Sequence, residues 1–209
     1  VASPSRTPTS DGVALMVEGS GTGSRLALGI NPTVPTTTPV SVLTKARCFL
    51  TTFVRRRLFQ LNNATTGTVV ACDFNGGSVS DNRITATYQT PGGTYPSTFT
   101  TADYVAHTPY ALLFTHDGSS SSYVDITRLN GPLSVTNTVS PGARRSVIDT
   151  IRLGNSSSFP FNGSLPYLFF WDRLISTDEA ALIYANPWAL FASAPSRFIL
   201  IPSSGGVIT

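Results

Sequence analysis

The chain has few charged residues, and its positive charge is almost entirely arginine. Only 12% of its 209 residues are charged, with 13 Arg and a single Lys against 11 acids, for a net charge of +3. Ser and Thr together occupy 53 positions. Hydroxyl groups must therefore cover much of the surface, which suits β-strands because Thr is favoured in them. The small charge excess does not predict a nucleic-acid-binding protein.

Long hydrophobic runs are also missing. No stretch approaches the roughly 20 consecutive apolar residues that a membrane helix needs. The first twelve residues, VASPSRTPTSDG, are polar and contain no signal-peptide core. The chain is nevertheless 41% hydrophobic, so a full core can form. We expect one folded domain that does not associate with a membrane.

Catalytic acids and metal ligands are scarce. The sequence has two Glu, Glu18 and Glu179, and no strand-like segment carries two acids at i and i+2. Retaining glycosidases need two carboxyl groups about 5 Å apart, so this chemistry is not predicted. His107 and His116 lack a third ligand at suitable spacing, and no G-x-S-x-G motif occurs. We predict that the protein is not an enzyme.

Two cysteines and two arginine clusters remain open to more than one interpretation. Cys48 and Cys72 both lie in apolar, strand-like segments, which favours buried thiols, although a disulfide is not excluded. The positive charge is clustered at Arg55-Arg56-Arg57 and at Arg144-Arg145. The triple run suggests either a nucleic-acid or phosphate site or, as we favour, a solvated turn or an inter-subunit salt-bridge donor. Aromatic residues that would stack on bases are not interleaved with them.

Short apolar segments separated by turns rich in Gly, Pro, Asn and Ser indicate an all-β protein. The clearest hairpin is YALLFTHDGSSSSYVDITRLNG. Its residues alternate between two faces from Tyr110 to His116, turn at Asp117-Gly118, and return in phase at Val124.

One helix is predicted, in STDEAALIYANPW. Ser176 or Thr177 can cap it, and Asp178 and Glu179 fall in the first turn, where the helix dipole favours negative charge. Pro187 ends it. A lone helix in a β protein usually covers an edge or an end of the sandwich.

The stretch before this helix, FNGSLPYLFFWDRLIS, is almost wholly apolar. Such a run fits a central strand that is covered on both faces. We predict structural roles for the following residues: Gly163, Leu165, Phe170, Trp171, Asp172, Pro187 and Trp188.

This region resembles the C-terminal signature of laminin-G-like domains of the concanavalin A-like superfamily. The matching positions are Phe161, Gly163, Leu165, Leu168, Phe170, Trp171, Asp172, Arg173, Ile175, Ser176 and Glu179. The preceding hairpin and the segment DTIRLGN also resemble elements of that family, which often has Trp where this chain has Tyr110. The resemblance covers residues 105–191. It implies a jelly-roll sandwich of two antiparallel sheets with one short C-terminal helix.

From this resemblance we predict a sandwich over residues 13–191. Residues 1–12 would be a flexible N-terminal segment, and residues 192–209 a C-terminal extension. The extension contains RFILIP, a β-prone stretch that could pair with the edge of a neighbouring subunit or complete the sheet of its own chain.

Laminin-G-like domains often bind calcium at a rim of the sandwich, so the resemblance raises the question of a calcium site. Calcium takes six to eight oxygen ligands. Asp73, Asn75 and Asp81 lie in one loop-like stretch, DFNGGSVSDN, and could supply some of them. Ordinary turn residues are the alternative. No other cofactor is expected.

The sequence after the helix, LFASAPSRFILIPSS, resembles stand-alone domains of this type in tailed-phage and prophage genomes. That resemblance implies a non-enzymatic structural protein of a virus particle, either a capsid decoration or a tail component. Its location would be the virion surface, outside the host after lysis. Its partners would be other virion proteins and further copies of itself.

An extracellular carbohydrate-binding module is the alternative hypothesis. Glycan sites combine exposed aromatic rings with hydrogen-bonding side chains. Tyr88, Tyr95 and Tyr104 lie near Pro- and Gly-rich turns and are the candidate ligand-binding residues. The two hypotheses are compatible, because a virion surface protein can also hold glycans.

Overall fold

The computed structural model describes residues 5–9, 12–17, 26–49, 55–74, 83–93, 97–99, 103–118, 124–131, 144–153 and 161–191. These residues form twelve strands, one α-helix and one short 3₁₀ helix. The strands are β1 (Ser5–Thr9), β2 (Gly12–Val17), β3 (Leu26–Val34), β4 (Val40–Cys48), β5 (Arg56–Asn63), β6 (Gly67–Phe74), β7 (Ile84–Tyr88), β8 (Ser97–Phe99), β9 (Pro109–His116), β10 (Val124–Arg128), β11 (Ile148–Leu153) and β12 (Gly163–Trp171). Helix α1 spans Thr177–Ala185, and the 3₁₀ helix spans Pro187–Phe191.

The strands form two six-stranded antiparallel sheets. The first sheet has the order β1-β2-β12-β4-β9-β10, and the second has the order β3-β11-β5-β6-β7-β8. Strands that are neighbours in a sheet can be far apart in the sequence, since β12 lies between β2 and β4. The prediction of a jelly-roll sandwich with a single short C-terminal helix is confirmed.

The two ends of the chain differ in how far the structure describes them. Strand β1 lies within residues 1–12, which we expected to be flexible, and pairs with β2 from Ser5↔Met16 to Thr9↔Gly12. Residues 192–209, with the predicted pairing of RFILIP, lie outside the described residues. No helix within the described ranges is long and apolar enough to cross a membrane.

The main core fills the space between the sheets. Alternate residues of each strand point inward, so Val42 and Phe114 of the first sheet meet Phe59 and Tyr88 of the second in one buried cluster. The rings of Phe59 and Phe114 pack edge to face across the sandwich, with centroids 5.7 Å apart. Cys48 and Cys72 are buried in this core as thiols and are not joined in a disulfide, which confirms the interpretation favoured from the sequence. Burial raises the pKa of the Cys72 thiol.

Strand β12 is almost wholly apolar because both of its faces are covered, as predicted. Leu165 and Phe170 pack into or against the main core. Tyr167, Phe169 and Trp171 point the other way, into a second apolar cluster beneath α1. Trp171 is therefore part of this outer layer, and it is only partly buried. Asp172, which follows the strand, is exposed.

Gly163 is required by close packing at the start of β12. A Cβ at this position would overlap the carbonyl oxygen of Arg47 on β4 and would lie 2.7 Å from Cζ of Phe161. Real Cβ atoms do not approach backbone this closely, so only glycine fits here.

Helix α1 begins as the sequence predicts. The side chain of Ser176 accepts a hydrogen bond from the backbone N–H of Glu179 at 3.1 Å. The carboxylate of Glu179 pairs with the guanidinium of Arg173. The helix ends at Ala185, where Asn186 caps it with an N–H donated to the carbonyl of Leu182. Ala180 and Ile183 form the buried side of the helix.

The predicted hairpin is confirmed as β9 and β10, which pair from Val124↔His116 to Arg128↔Leu112. Gly118 adopts a φ of 72° in the turn after β9. A Cβ on Gly118 would lie 2.5 Å from the carbonyl oxygen of Thr37. This glycine lets β9 end against the β3–β4 turn.

Candidate functional site

A small open cavity lies on the outer face of the first sheet, which we define as the face turned away from the second sheet. Its volume is about 150 Å³. The lining residues are Lys45, Tyr167, Tyr184, Ala185, Pro187 and Trp188. We call this cavity the aromatic pocket. It is smaller than the 300–1,000 Å³ typical of sites for drug-sized ligands, so it fits a single ring or side chain.

Three elements meet at the aromatic pocket. Tyr167 on β12 pairs in register with Lys45 on β4, which places the two side chains next to each other on the outer face. Tyr184 and Ala185 are the last residues of α1. The chain turns at Asn186 into the 3₁₀ helix, and this turn places Trp188 at the mouth of the pocket.

Trp188 is half exposed. Its exposed fraction is 51%, although the sequence suggested a structural role. The ring packs against Phe191 at a centroid distance of 6.2 Å, and Phe191 in turn packs against Phe169 on β12 at 6.0 Å. One side of the indole is thus supported by the outer apolar layer, while the other side reaches solvent.

Aromatic rings continue from the pocket along β12. Tyr167 and Phe169 stack with centroids 5.1 Å apart and an interplanar angle of 17°. Phe169 and Trp171 follow at 6.0 Å. This row is the floor on which α1 and the 3₁₀ helix rest, and it fixes the orientation of the pocket residues.

Several large apolar side chains are exposed in the C-terminal part of the described chain. They lie in α1 and in the segments that flank it: Leu174 (40%), Leu182 (75%), Trp188 (51%), Leu190 (49%) and Phe191 (69%). We call this set the apolar patch. Single exposed apolar residues are common, but a group of them in one segment is typical of an interaction surface.

Two of the three tyrosines predicted to bind a ligand are not available for this role. Tyr88 and Tyr104 are 1% and 2% exposed and belong to the main core. Tyr104 packs edge to face on Phe74 with centroids 5.0 Å apart. The prediction for Tyr88 and Tyr104 is therefore wrong, because loop-like sequence around a tyrosine does not reveal that its ring faces inward. Tyr95 lies outside the described residues.

The predicted calcium ligand Asp73 is also buried. Its side chain is completely inaccessible, and its two carboxylate oxygens accept hydrogen bonds from Nε and Nη2 of Arg57 at 2.8 and 3.3 Å. A carboxylate engaged in this way does not offer its oxygens to an ion at the rim, so this prediction is wrong for Asp73. Asn75 and Asp81 lie outside the described residues. Within the described ranges, no three His, Cys, Asp or Glu residues come together.

The arginine run belongs to the second sheet rather than to a solvated turn. Arg56 and Arg57 are 9% and 6% exposed, which corrects the favoured interpretation. Arg57 donates to Gln60 at 2.8 Å in addition to its pairing with Asp73. Arg55 reaches the same carboxylate at 3.6 Å. These groups form a structural network on the outer side of β5 and β6.

A second buried polar cluster joins the two sheets at His116. Arg144, which is 1% exposed, donates to the carbonyls of Pro35 and Thr38 at 2.6 Å each and lies 3.3 Å from Nδ1 of His116. The N–H of Gly118 donates to the same Nδ1 at 3.0 Å. Because Nδ1 accepts, the neutral imidazole carries its proton on Nε2. Arg144 thereby ties the segment before β11 to the β3–β4 turn.

Burial controls the ionisation of this cluster. Desolvation, and secondly the charge of Arg144, lower the pKa of His116 from 6.5 to about 4, although Asp117 opposes the shift. Desolvation also lowers the pKa of Arg144 to about 10, again opposed by Asp117. His116 is consequently neutral at pH 7. The second histidine, His107, stands apart from this cluster, stacked on Phe49 at 5.4 Å with a φ of 63°.

Sequence reasoning missed the aromatic pocket. The signal was present in the tripeptide Asn186-Pro187-Trp188, where a helix stop is followed at once by an indole that the end of the helix cannot bury. The position of Lys45 beside Tyr167 carried no local signal, because it depends on the register between strands 122 residues apart.

Comparisons with known proteins identify the fold. No protein-family model and no curated protein matches the chain. Among solved structures, the chain is similar to a heptameric SAP-like pentraxin from Limulus polyphemus, with a TM-score of 0.59, 14% identity, and coverage of 80% of this chain and 79% of the pentraxin. It is also similar to the binding domain of botulinum neurotoxin serotype G (TM-score 0.66, 12% identity, 87% and 44% coverage). A third neighbour is Trypanosoma rangeli sialidase (TM-score 0.57, 11% identity, 83% and 27% coverage).

These similarities agree with a jelly-roll β-sandwich of two antiparallel sheets. The chain spans less than half of the toxin domain and about a quarter of the sialidase. At such low identities the likeness concerns the fold alone, and the neighbours include both enzymes and proteins that are not enzymes.

Proposed function

We propose that the protein is a non-enzymatic carbohydrate-binding module and that the aromatic pocket is its binding site. The observation that carries this proposal is the position of Trp188, which presents a supported, half-exposed indole beside Tyr167, Tyr184 and Lys45. Sugar sites combine such rings, against which the apolar face of a pyranose packs, with polar groups that fix orientation.

The size of the pocket agrees with this proposal. A cavity of about 150 Å³ accommodates one sugar ring, with the rest of an oligosaccharide in solvent. Tyrosine hydroxyls and the Lys45 ammonium are suitable donors to sugar oxygens. The support from Phe191 and Phe169 reduces the ordering cost of binding, because the indole is already held in place.

The proposal that the protein is not an enzyme is supported by the state of its carboxylates. Glu179 pairs with Arg173 at the start of α1, and Asp73 is buried against Arg57. Neither is poised to act as a nucleophile or general acid on a saccharide. The fold alone does not distinguish an enzyme from a binding protein. We expect no turnover of β-glucans or sialosides by the purified protein.

The test is a glycan array followed by calorimetry on the glycans that bind. Trp188→Ala should weaken binding at least tenfold. The matched control is Leu190→Ala, which lies on the same 3₁₀ helix with nearly the same exposure (49%) but does not line the pocket, and it should bind as the parent does. Equal binding by the Trp188 variant, or no glycan bound by the parent, would refute the proposal.

A second candidate function is a structural role in a virus particle, as a capsid decoration or tail component at the virion surface. The apolar patch favours it, because Leu182 and Phe191 expose more hydrocarbon than a sugar site uses. Such side chains suit contact with another virion protein or with a second copy of the chain. The two functions can coexist if the patch attaches the protein to the particle.

Sedimentation velocity tests the second candidate. The parent chain should self-associate at micromolar concentration, and the double variant Leu182→Glu/Phe191→Ser should be monomeric. Val105→Glu is the control, since Val105 is similarly exposed (61%) but lies outside the patch. A parent that stays monomeric, encoded by a gene without portal or capsid genes nearby, would count against a virion role.

A further inference from the structure

We infer that the aromatic pocket selects anionic saccharides and that Lys45 and Arg47 bind the carboxylate or sulfate group. This inference rests on the proposed function of the pocket and specifies its ligand class. It comes from the distribution of charge along the outer face of the first sheet.

The two cations lie side by side at the pocket end of this face. Lys45 lines the pocket, and Arg47 is two residues further along β4, so its side chain leaves the same face of the sheet. In register, Tyr167 pairs with Lys45, and Ser164 pairs with Arg47. An anionic substituent on a sugar stacked against Trp188 would therefore meet Lys45 first and Arg47 behind it.

Among the described residues, the acidic groups that follow β12 and begin α1 lie toward the opposite end of this face. Asp172 follows β12, and Asp178 and Glu179 occupy the first turn of α1, whereas the pocket lies at the last turn. Four strand residues separate the Tyr167–Lys45 pair from the Trp171–Ser41 pair, a distance of about 13 Å at roughly 3.3 Å per residue. This strand distance exceeds the Debye length of about 8 Å in physiological salt, so repulsion from Asp172 is weak at the pocket. Asp178 and Glu179 lie six and five residues before Tyr184, about 8–9 Å along the helix at 1.5 Å per residue. The charge of Glu179 is paired with Arg173. The lining residues include no acid.

The guanidinium of Arg47 has one N–H group that lacks a hydrogen-bond acceptor in the described part of the chain. Its Nε is buried and has no hydrogen-bond partner among the described residues. Buried donors are normally satisfied by a protein group, by water or by a ligand. A carboxylate or sulfate is a suitable acceptor, because guanidinium groups bind such oxyanions through paired, charge-assisted hydrogen bonds.

The last turn of α1 also attracts the ammonium group of Lys45, in competition with a bound anion. The carbonyl groups of the last helical turn carry partial negative charge, and that turn has no basic residue of its own. Lys45 supplies positive charge there from β4. A Lys45 variant must therefore be compared with the parent chain at matched folded fraction, and Lys45→Arg serves as the variant that retains the charge.

The experiment measures binding of three sets of oligosaccharides by calorimetry: oligogalacturonates with carboxylates, sulfated galactose oligomers, and neutral cello-oligosaccharides. At least one anionic set should bind ten times or more tightly than the neutral set. Its affinity should fall as NaCl rises from 50 to 300 mM. Comparing the carboxylated and sulfated sets identifies which anion is preferred.

Variants then assign the effect to residues. Lys45→Met and Arg47→Met should each lower affinity for the anionic sugars about tenfold. Arg47→Met, which lies outside the pocket lining, should leave the weak binding of neutral sugars unchanged. Lys45→Arg should restore most of the loss. The control is Arg152→Met, which removes the same charge from β11 in the second sheet and should have little effect.

The outcomes separate this inference from the proposed function. Suppose that neutral sugars bind as tightly as anionic ones, that Trp188→Ala abolishes this binding, and that Lys45→Met leaves the affinity for anionic sugars unchanged. The inferred selection of anions is then wrong, but the proposed carbohydrate-binding function is supported. If no sugar of any set binds, both are wrong. If the Arg152 variant loses as much affinity as the Lys45 variant, the effect reflects net charge rather than the pocket, and the assignment to Lys45 and Arg47 is wrong.

Discussion

Acid should destabilise this protein through His116, and the size of the effect follows from its burial. The imidazole is completely buried beside Arg144, and its pKa is lowered from 6.5 to about 4. The unfolded chain therefore takes up a proton at higher pH than the folded chain. The resulting stability is fully present above about pH 6.5 and is lost as the pH falls through 4.

The magnitude comes from the same two values. With a pKa of 6.5 unfolded and about 4 folded, linkage predicts a loss of about 2 kcal/mol at pH 5 and about 3 kcal/mol at pH 4. Domains of this kind are stabilised by roughly 5–15 kcal/mol in total. One histidine would thus account for a substantial part of the acid sensitivity.

Urea unfolding at pH 7, 6, 5 and 4 measures this effect against His116→Asn. The asparagine oxygen can still accept from Gly118 and Arg144, but the side chain does not titrate. Losses from carboxylates are common to both proteins, so the difference between the two curves isolates the histidine. Parallel curves from pH 7 to pH 4 would refute the reasoning and mean that the folded chain admits the imidazolium without cost.

Three further predictions concern the framework of the site and are checked by urea unfolding. Trp171→Ala should lower the free energy of unfolding by about 2 kcal/mol. This is less than the 3–5 kcal/mol of a fully buried aromatic residue, because the ring is only partly buried. A negligible loss would contradict the packing of this ring under α1. Gly163→Ala should strongly destabilise the folded protein because the new Cβ overlaps β4. Gly29→Ala is the control, since a Cβ there meets no atom within 4 Å. Equal effects of the two variants would contradict the close packing at Gly163. Asp73→Ala should lower the free energy of unfolding by roughly 3–5 kcal/mol, because it removes the buried counter-charge of Arg57. A loss below 1 kcal/mol would contradict the burial of this pair. Calcium should not stabilise the parent chain through Asp73.

Features encoded by local periodicity were predictable from the sequence. The apolar run of β12 followed by a capped helix indicated a strand covered on both faces, and the structure has α1 over Phe169 and Trp171. The alternation around His116 likewise predicted the β9–β10 hairpin. In both cases the pattern lies within about ten residues, where side-chain direction follows directly from the backbone.

Features that depend on partners distant in the sequence were not predictable. Arg57 is buried because its register places it opposite Asp73, and Arg144 because it reaches the β3–β4 turn more than 100 residues earlier. A polar residue with such a partner looks the same in sequence as one in solvent. The predictions for Tyr88 and Tyr104 were wrong for the same reason, since the ring of Tyr88, for example, faces His116 across the sandwich.

The central claim, that a saccharide packs against Trp188 in the aromatic pocket, is tested most directly by NMR of the two indole N–H groups. The chain has two tryptophans, so the spectrum should contain two indole signals, and Trp171→Phe assigns them. Titration with an oligosaccharide that binds should shift the Trp188 signal and leave the Trp171 signal in place. A saccharide that binds while the Trp188 signal does not move would contradict the account.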